Sequence, residues 1–315
     1  MVPIFNGEQF VDSVFETLLN QTFEDFEVII VDDGSTDGTL NKINEQKKFH
    51  HDLKVRVIAS EHRGLSASRN QGLAAASADY IAFLDCDDIW YPEKLNVQLK
   101  LLKVHSAVAV FSRVEYFDGE KITLNLHANA IGHTSSPQRL LNGQFVVFGG
   151  GSNILCTRDA LWKVGDFDES LPFAEDFDMW LRLSEIGPIL EISSCHVRIS
   201  VRQDSMQRSR HYMVQRGLLR SRVKIYRKWY PFLDVETFDF LVNQLVDTLI
   251  HQIRSRNLIQ ILMLTPIWLT LLFEVLEKGP IRLLSIPKCS AKVLSAIISN
   301  ILTRIAPHFT RFRKN

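Results

Sequence analysis

The chain has 315 residues, 46% of them hydrophobic and 23% charged. These are the proportions of a globular protein long enough to bury a core in one large domain or two smaller ones, and they exclude low-complexity and fibrous classes. A net charge of zero hides a division: residues 1–204 hold 18 Lys+Arg against 30 Asp+Glu, whereas residues 205–315 hold 18 against 6.

An acidic body joined to a basic segment predicts that the second part meets something anionic, the alternative being neutralisation within the molecule. Cys86, Cys156, Cys195 and Cys289 are far apart and form no C-x-x-C pair, which indicates neither a zinc site nor a disulfide framework. The start, "MVPIFNGEQF", lacks a basic region and a long apolar run. That predicts no signal peptide and a cytosolic body.

In chain order, "EVIIVDD" (27–33) is a β-branched apolar run ending in acid, and "YIAFLD" (80–85) repeats the arrangement. Both read as buried parallel strands. Between them "GSTDGTLNKINEQKKF" predicts a turn and a helix, "KVRVIAS" (54–60) a strand, and "GLSASRNQGLAAAS" (64–77) a helix of small residues. The order is β-α-β-α-β. Acids at the ends of successive parallel strands share the rim where ligands bind in open α/β folds, which groups Asp32, Asp33, Asp85, Asp87 and Asp88 in one crevice. Asp37, in "STDGT", reads instead as a turn or capping residue. Three carboxylates within residues 85–88 repel one another, so a cation or a retained proton is expected there.

Further along, "WYPEKLNVQLKLLKVH" (90–105) has helical spacing and "AVAVFSRVEYF" (107–117) reads as a strand. Residues 120–145 look like loops with a short helix. "GGGSNILCTRDALWKVGDFDESL" then predicts a flexible glycine run, a strand, a helix start and an acidic turn. In "FAEDFDMWLRLSEIG", Glu175, Asp176 and Asp178 open a helix. Dipole stabilisation suffices to explain Asp178, which leaves Asp176 as the better catalytic candidate.

Three blocks, "PIFNGEQFVDSVFETLLNQTFEDFEVIIVDDGSTDGT", "SASRNQGLAAASADYIAFLDCDDIWYPEKLNVQ" and "AEDFDMWLRL", together resemble the inverting, GT-A fold glycosyltransferases of family 2 over most of residues 2–183. The resemblance implies an α/β, Rossmann-like and mostly parallel sheet flanked by helices, with a C-terminal helical region after it. It also implies a catalytic domain over 1–204 and a nucleotide-sugar donor, most commonly UDP-linked. Mg²⁺ or Mn²⁺ on Asp87 and Asp85 would neutralise the departing diphosphate.

By the same resemblance Pro3, Phe5 and Asp33 line the nucleobase pocket and Glu8 contacts the nucleoside. Arg69 and Asp88 stand on the donor side, a salt bridge to a nearby aspartate being the alternative for Arg69. Asp176 is the general base and Glu175 orients the acceptor; Trp180 is core or sugar contact. Two departures are visible. The family's first strand usually begins several residues ahead of the position of Val2, so an exposed neighbouring strand edge is expected. Arg202 stands where many relatives carry a histidine, with Ser205 matching three residues on, and it is expected to clamp a donor phosphate.

Residues 205–315 carry no catalytic signature. "RSRHYMVQRGLLRSRVKIYRKWY" interleaves arginines with apolar residues at helical spacing, and 258–276 is a 19-residue apolar run close to bilayer length. Gln260, Pro266 and Glu274 count against a simple span. Lys278 to Asn315 holds eight Lys+Arg and no acid. This predicts helices on an anionic membrane, placing the protein peripherally on the inner face of the cell membrane. The alternative is a subdomain packed on the body or on a second subunit. With no recognised module, nucleic acid is not an expected partner. The expected acceptor is a sugar or lipid-linked hydroxyl of a cell-envelope polysaccharide precursor. The competing functions are a degenerate nucleotide-binding membrane tether and a metal-dependent nucleotidyltransferase.

Overall fold

The computed structural model describes residues 1–124, 133–134, 136–141 and 146–201, with six single positions between 217 and 229. Contacts divide the chain into Met1–Leu140 with Phe145–Ser209, and Leu141–Gln144 with Arg210–Asn315. The first unit is the one described below.

β1 (Val2–Ile4) leads through a single 3₁₀ turn into α1 (Val11–Leu19), followed by β2 (Glu27–Asp32), α2 (Thr39–Phe49), β3 (Lys54–Ala59), α3 (Leu65–Ala75) and β4 (Tyr80–Ala82). From β2 to β4 this is the alternation the sequence predicts. In α1, Val11, Val14, Phe15 and Leu18 are buried; spaced i, i+3, i+4 and i+7, they form the stripe that presses the helix onto the sheet. Each such burial contributes roughly 1.5–3 kcal/mol. In β2 every residue after Glu27 is buried, as in a strand covered on both faces. β1, β2 and β3 are parallel, with Val2 opposite Ile30 and Val28 opposite Val55. Their C-terminal ends therefore open on one rim.

The first strand is present but short. Met1, the residue before it, donates from its ammonium to the Ala82 carbonyl at 2.8 Å, while the Leu84 amide donates to the Met1 carbonyl at 2.9 Å. Burial pushes that ammonium down to about 5.

Beyond β4 come β5 (Ile89–Trp90), α4 (Lys94–His105), β6 (Ala109–Phe117), β7 (Ile122–Leu124), β8 (His133–Thr134), α5 (Pro137–Leu141), α6 (Gly150–Asn153), β9 (Ile154–Thr157), α7 (Arg158–Val164), α8 (Glu175–Ile186) and β10 (Ile189–Ser200). The larger sheet runs β4-β9-β6-β10-β5, with β7 on β6 and β8 on β10. β6 and β10 are parallel, and β9 lies antiparallel between β4 and β6. Two elements depart from the sequence reading. The glycine run is a short helix with defined packing, not a loose linker. β10, the longest strand described, is missed altogether because Glu191, Ser193, Ser194 and His196 break its apolar pattern.

Among the described residues no helix is long and apolar enough to cross a membrane. The 258–276 run and the basic tail lie outside the described residues.

Candidate active site

The site is assembled on Arg69. Its helix, α3, packs on β1 and β2 and delivers the side chain to a position 1% exposed. There Nη2 donates to Asp85 Oδ1 at 2.9 Å and Nη1 to Glu175 Oε1 at 2.6 Å. One guanidinium thus fastens the acid after β4 to the acid that opens α8, two blocks 90 residues apart in sequence. The rings of Phe83 and Phe167, perpendicular to one another, stand 6.0 and 5.4 Å from its central carbon. Burial alone would lower the pKa of this arginine, but Asp85 and Glu175 outweigh it, so the charge is held firmly. Its Nε is buried with no hydrogen-bond partner among the described residues.

Asp176 lies beside this pair. Burial first, then the Glu175 charge, pushes its carboxyl up to about 6, against the pull of Arg69. Its Oδ1 accepts the Phe177 amide at 2.7 Å. Ala174, the residue before α8, has φ +58°, a left-handed conformation that costs a non-glycine residue roughly 1–2 kcal/mol. The strain falls at the turn that aims Glu175 and Asp176, where such conformations are characteristically retained.

The acidic triplet resolves into three environments. Asp85 is paired with Arg69, and its carbonyl accepts the Asp88 amide at 3.1 Å. Asp88 is 5% exposed and turned inward, its Oδ2 accepting from Ser152 Oγ at 2.6 Å and its Oδ1 from the Ser200 amide at 3.0 Å. Burial, followed by the charges of Asp85 and Asp87, holds its pKa well above the usual carboxylate range. Of the two remedies expected from sequence, Arg69 supplies the cation, and the direction of the Asp88 shift favours the other, its protonated form. Asp88 anchors β10 through Ser200 and the glycine segment through Ser152. Asp87 stays half-buried between them.

The glycine segment is the part that sequence reasoning missed. Gly149 and Gly150 have φ +76° and +53°, and a Cβ on Gly150 would stand 2.9 Å from Asp176 Oδ2. A Cβ on Gly151 would stand 2.7 Å from Arg69 Nη2. Ser152 Oγ also accepts the Asp85 amide at 2.9 Å. Three glycines in succession were the available signal: they let backbone come against both an acid and its counter-ion.

On the same rim, Pro3 pairs with Val31 in the sheet and is buried, while Phe5 is 43% exposed. Asp33 is spent largely on the loop after β3: its Oδ1 accepts the Arg63 amide at 2.8 Å, its Oδ2 the Gly64 amide at 2.9 Å, and His62 Nδ1 lies 2.8 Å from Oδ2. Glu8, exposed, accepts the Gly38 amide at 3.1 Å, and Asp37 accepts the Thr39 amide two residues on at 3.0 Å, the turn role of the two expected for it. The loops are also cross-linked. Arg63 Nη2 pairs with Glu169 at 2.8 Å, and Asn70 exchanges hydrogen bonds with Phe167 across the approach to α8. The structure thus gathers Arg69, Asp85, Glu175 and Asp176, and separately Phe5 and Asp33. It turns Asp88 inward and gives Arg69 to carboxylates, the alternative named for it from sequence. Arg202 lies outside the described residues.

Among the described residues no group of three or more His, Cys, Asp and Glu side chains forms a metal cage. Asp85, with one oxygen on Arg69, and Asp87 offer two carboxylates, which suits a hard divalent ion that keeps waters and substrate phosphates as its other ligands.

An α/β body with acids along the strand ends and a second acid pair opening a helix is the GT-A architecture, and solved structures agree. S. aureus TarS 1–349 in complex with UDP has a TM-score of 0.65 at 19% identity, covering 100% of this chain and 90% of that one. The mannosyltransferase PcManGT from Pyrobaculum calidifontis, in complex with GDP-Man and Mn²⁺, has a TM-score of 0.53 at 19% identity, covering 72% and 62%. The model of glycosyl transferase family 2 matches residues 1–165, and the chain belongs to that family. Chondroitin synthase of Escherichia coli is 29% identical over 72% of this chain. Hyaluronan synthase of Pasteurella multocida is 27% identical over 75%. The chain spans 33% and 24% of those two relatives.

Proposed function

We propose that the protein is an inverting, metal-dependent glycosyltransferase that moves a sugar from a nucleotide-sugar donor, a UDP-sugar in the first instance, to an acceptor hydroxyl. The observation that carries this reading is the buried Arg69 joining Asp85 to Glu175 with Asp176 at its side. Asp176 takes the acceptor hydroxyl proton, the acceptor oxygen bonds to the anomeric carbon, and the bond from that carbon to the diphosphate breaks on the opposite face. Configuration inverts. A raised carboxylate is a better base than one of ordinary pKa, and Glu175, held by Arg69, orients the acceptor. Asp87 and Asp85 would hold Mg²⁺ or Mn²⁺, which supplies positive charge to the leaving diphosphate.

Pro3, Phe5 and Asp33 receive the nucleobase, with Glu8 on the nucleoside side and Arg202 on the phosphates. The names of the curated relatives support a polysaccharide acceptor, and a lipid-linked or cell-envelope precursor extends that reading. The basic, apolar 205–315 region supports work at the inner face of the cell membrane.

The test is turnover by purified protein of UDP-, GDP- and dTDP-sugars with Mn²⁺ or EDTA, membrane extract supplying acceptor. Metal-dependent transfer lost in Asp87→Ala and Asp176→Ala is the expected result. Nucleotide binding without turnover in the unaltered protein would sink the enzyme reading in favour of the tether. Equal sedimentation with anionic vesicles of the full chain and of one ending at residue 204 would remove the membrane role of the tail.

A further inference from the structure

The imidazole of His62 lies flat on Phe5, ring centroids 4.0 Å apart and planes 19° from parallel. Its Nδ1 is 2.8 Å from Asp33 Oδ2 and 3.1 Å from the Asp33 carbonyl. The backbone on either side is fixed. Asp33 accepts the two amides that follow His62, and Gly34, at φ +74°, lets the loop descend until a Cβ there would be 2.7 Å from the His62 amide nitrogen. Yet the side chain itself is 55% exposed and Phe5 is 43% exposed. Neither ring is core. A planar nitrogen heterocycle is thus stacked on the open aromatic of the rim, its ring nitrogen on the acid beside it.

Those are the contacts a nucleobase would make at that position, stacking on a flat ring and placing a ring nitrogen on a carboxylate. We propose that His62 is an intramolecular stand-in for the base: it occupies the base position of the donor pocket in the free protein and must leave before a nucleotide can enter. The inference rests on the nucleotide-sugar reading above. It makes His62 a determinant of donor affinity that opposes binding, because the nucleotide gains its stacking only after the histidine loses its own.

Removing the ring removes the competitor while the Arg63 and Gly64 amides keep the loop on Asp33. His62→Ala is therefore expected to bind UDP or GDP, each with Mn²⁺, roughly three- to tenfold more tightly than the unaltered protein by titration calorimetry, the scale of one aromatic pair. His62→Phe, which keeps a flat ring over Phe5, is expected to recover less than half of that gain. In the unaltered protein the His62 ring protons, shifted by Phe5, are expected to move toward their free positions as nucleotide is added. Binding that is unchanged or weaker in His62→Ala overturns the stand-in and leaves the donor reading intact. Absence of nucleotide binding in both proteins overturns both.

Discussion

The two adjacent acids at the start of α8 differ in what surrounds them. Glu175 is tied to Arg69, whereas Asp176 is raised to about 6 by burial and by its neighbour. A base works only when deprotonated, so kcat/KM is expected to rise with pH through about 6 and level off above it. Asp176→Asn is expected to lower turnover roughly 10²- to 10⁴-fold across that whole range. A profile in which the unaltered enzyme shows no acid limb near pH 6 would assign the proton to another group. The acid pair itself was legible in sequence, since acids at a helix start beside Trp180 form a compact pattern. The partnership with Arg69 was not, because it joins positions 106 residues apart. Only the fold brings them together.

The glycine segment and β10 show where pattern reading stops at the level of elements. β2 is a short apolar run ending in acid and covered on both faces, and the run 80–85 that contains β4 has the same composition, which makes both readable. β10 is paired on both edges, by β6 and β5, but Ser193 and Ser194 lie exposed at a register shift while Glu191 and His196 are buried, so no two-residue apolar period runs through it. The glycine run reads as flexible because composition reports freedom of the unfolded chain, not the packing that consumes it. α6 is instead held by Asn153, whose side chain bonds Ser112 and Phe148, and by Gln98 Nε2 on the Asn153 carbonyl at 2.7 Å. Gly150→Ala is expected to destabilise by about 1–2 kcal/mol through its left-handed backbone. The added methyl also falls on Asp176, so turnover should drop far more than melting temperature does. Equal turnover at matched folded fraction, measured by steady-state kinetics beside calorimetry, would detach the segment from the site.

Over the whole molecule, buried charge sets how stability answers to pH. Lys94 is 0% exposed, with Nζ 2.8 Å from Gln98 Oε1 and 4.2 Å from the Trp90 ring centroid, and burial pushes its pKa down to about 7. The unfolded chain keeps the ordinary lysine value of about 10.4. Between these limits the unfolded state binds more protons, so this residue makes stability rise with pH from about 7 toward about 10, and below 7 its cost is carried in full. Lys94→Met is accordingly expected to raise the melting temperature at pH 7 and flatten the alkaline rise. A lower melting temperature at pH 7 would show that the hydrogen bond and ring contact outweigh the burial cost.

The ion pair between Arg63 and Glu169 joins the loop carrying His62 to the approach to α8, and the Asn70–Phe167 hydrogen bonds tie α3 to the same approach. Their consequence is kinetic order. A base that takes the place of the His62 ring settles beside Arg63, whose ion pair with Glu169 ties that loop to the one leading toward Asp176, and any coupling through it is mutual. Such an enzyme would admit its substrates in sequence, donor ahead of acceptor, and leave little chance for water to take the sugar before the proper hydroxyl arrives.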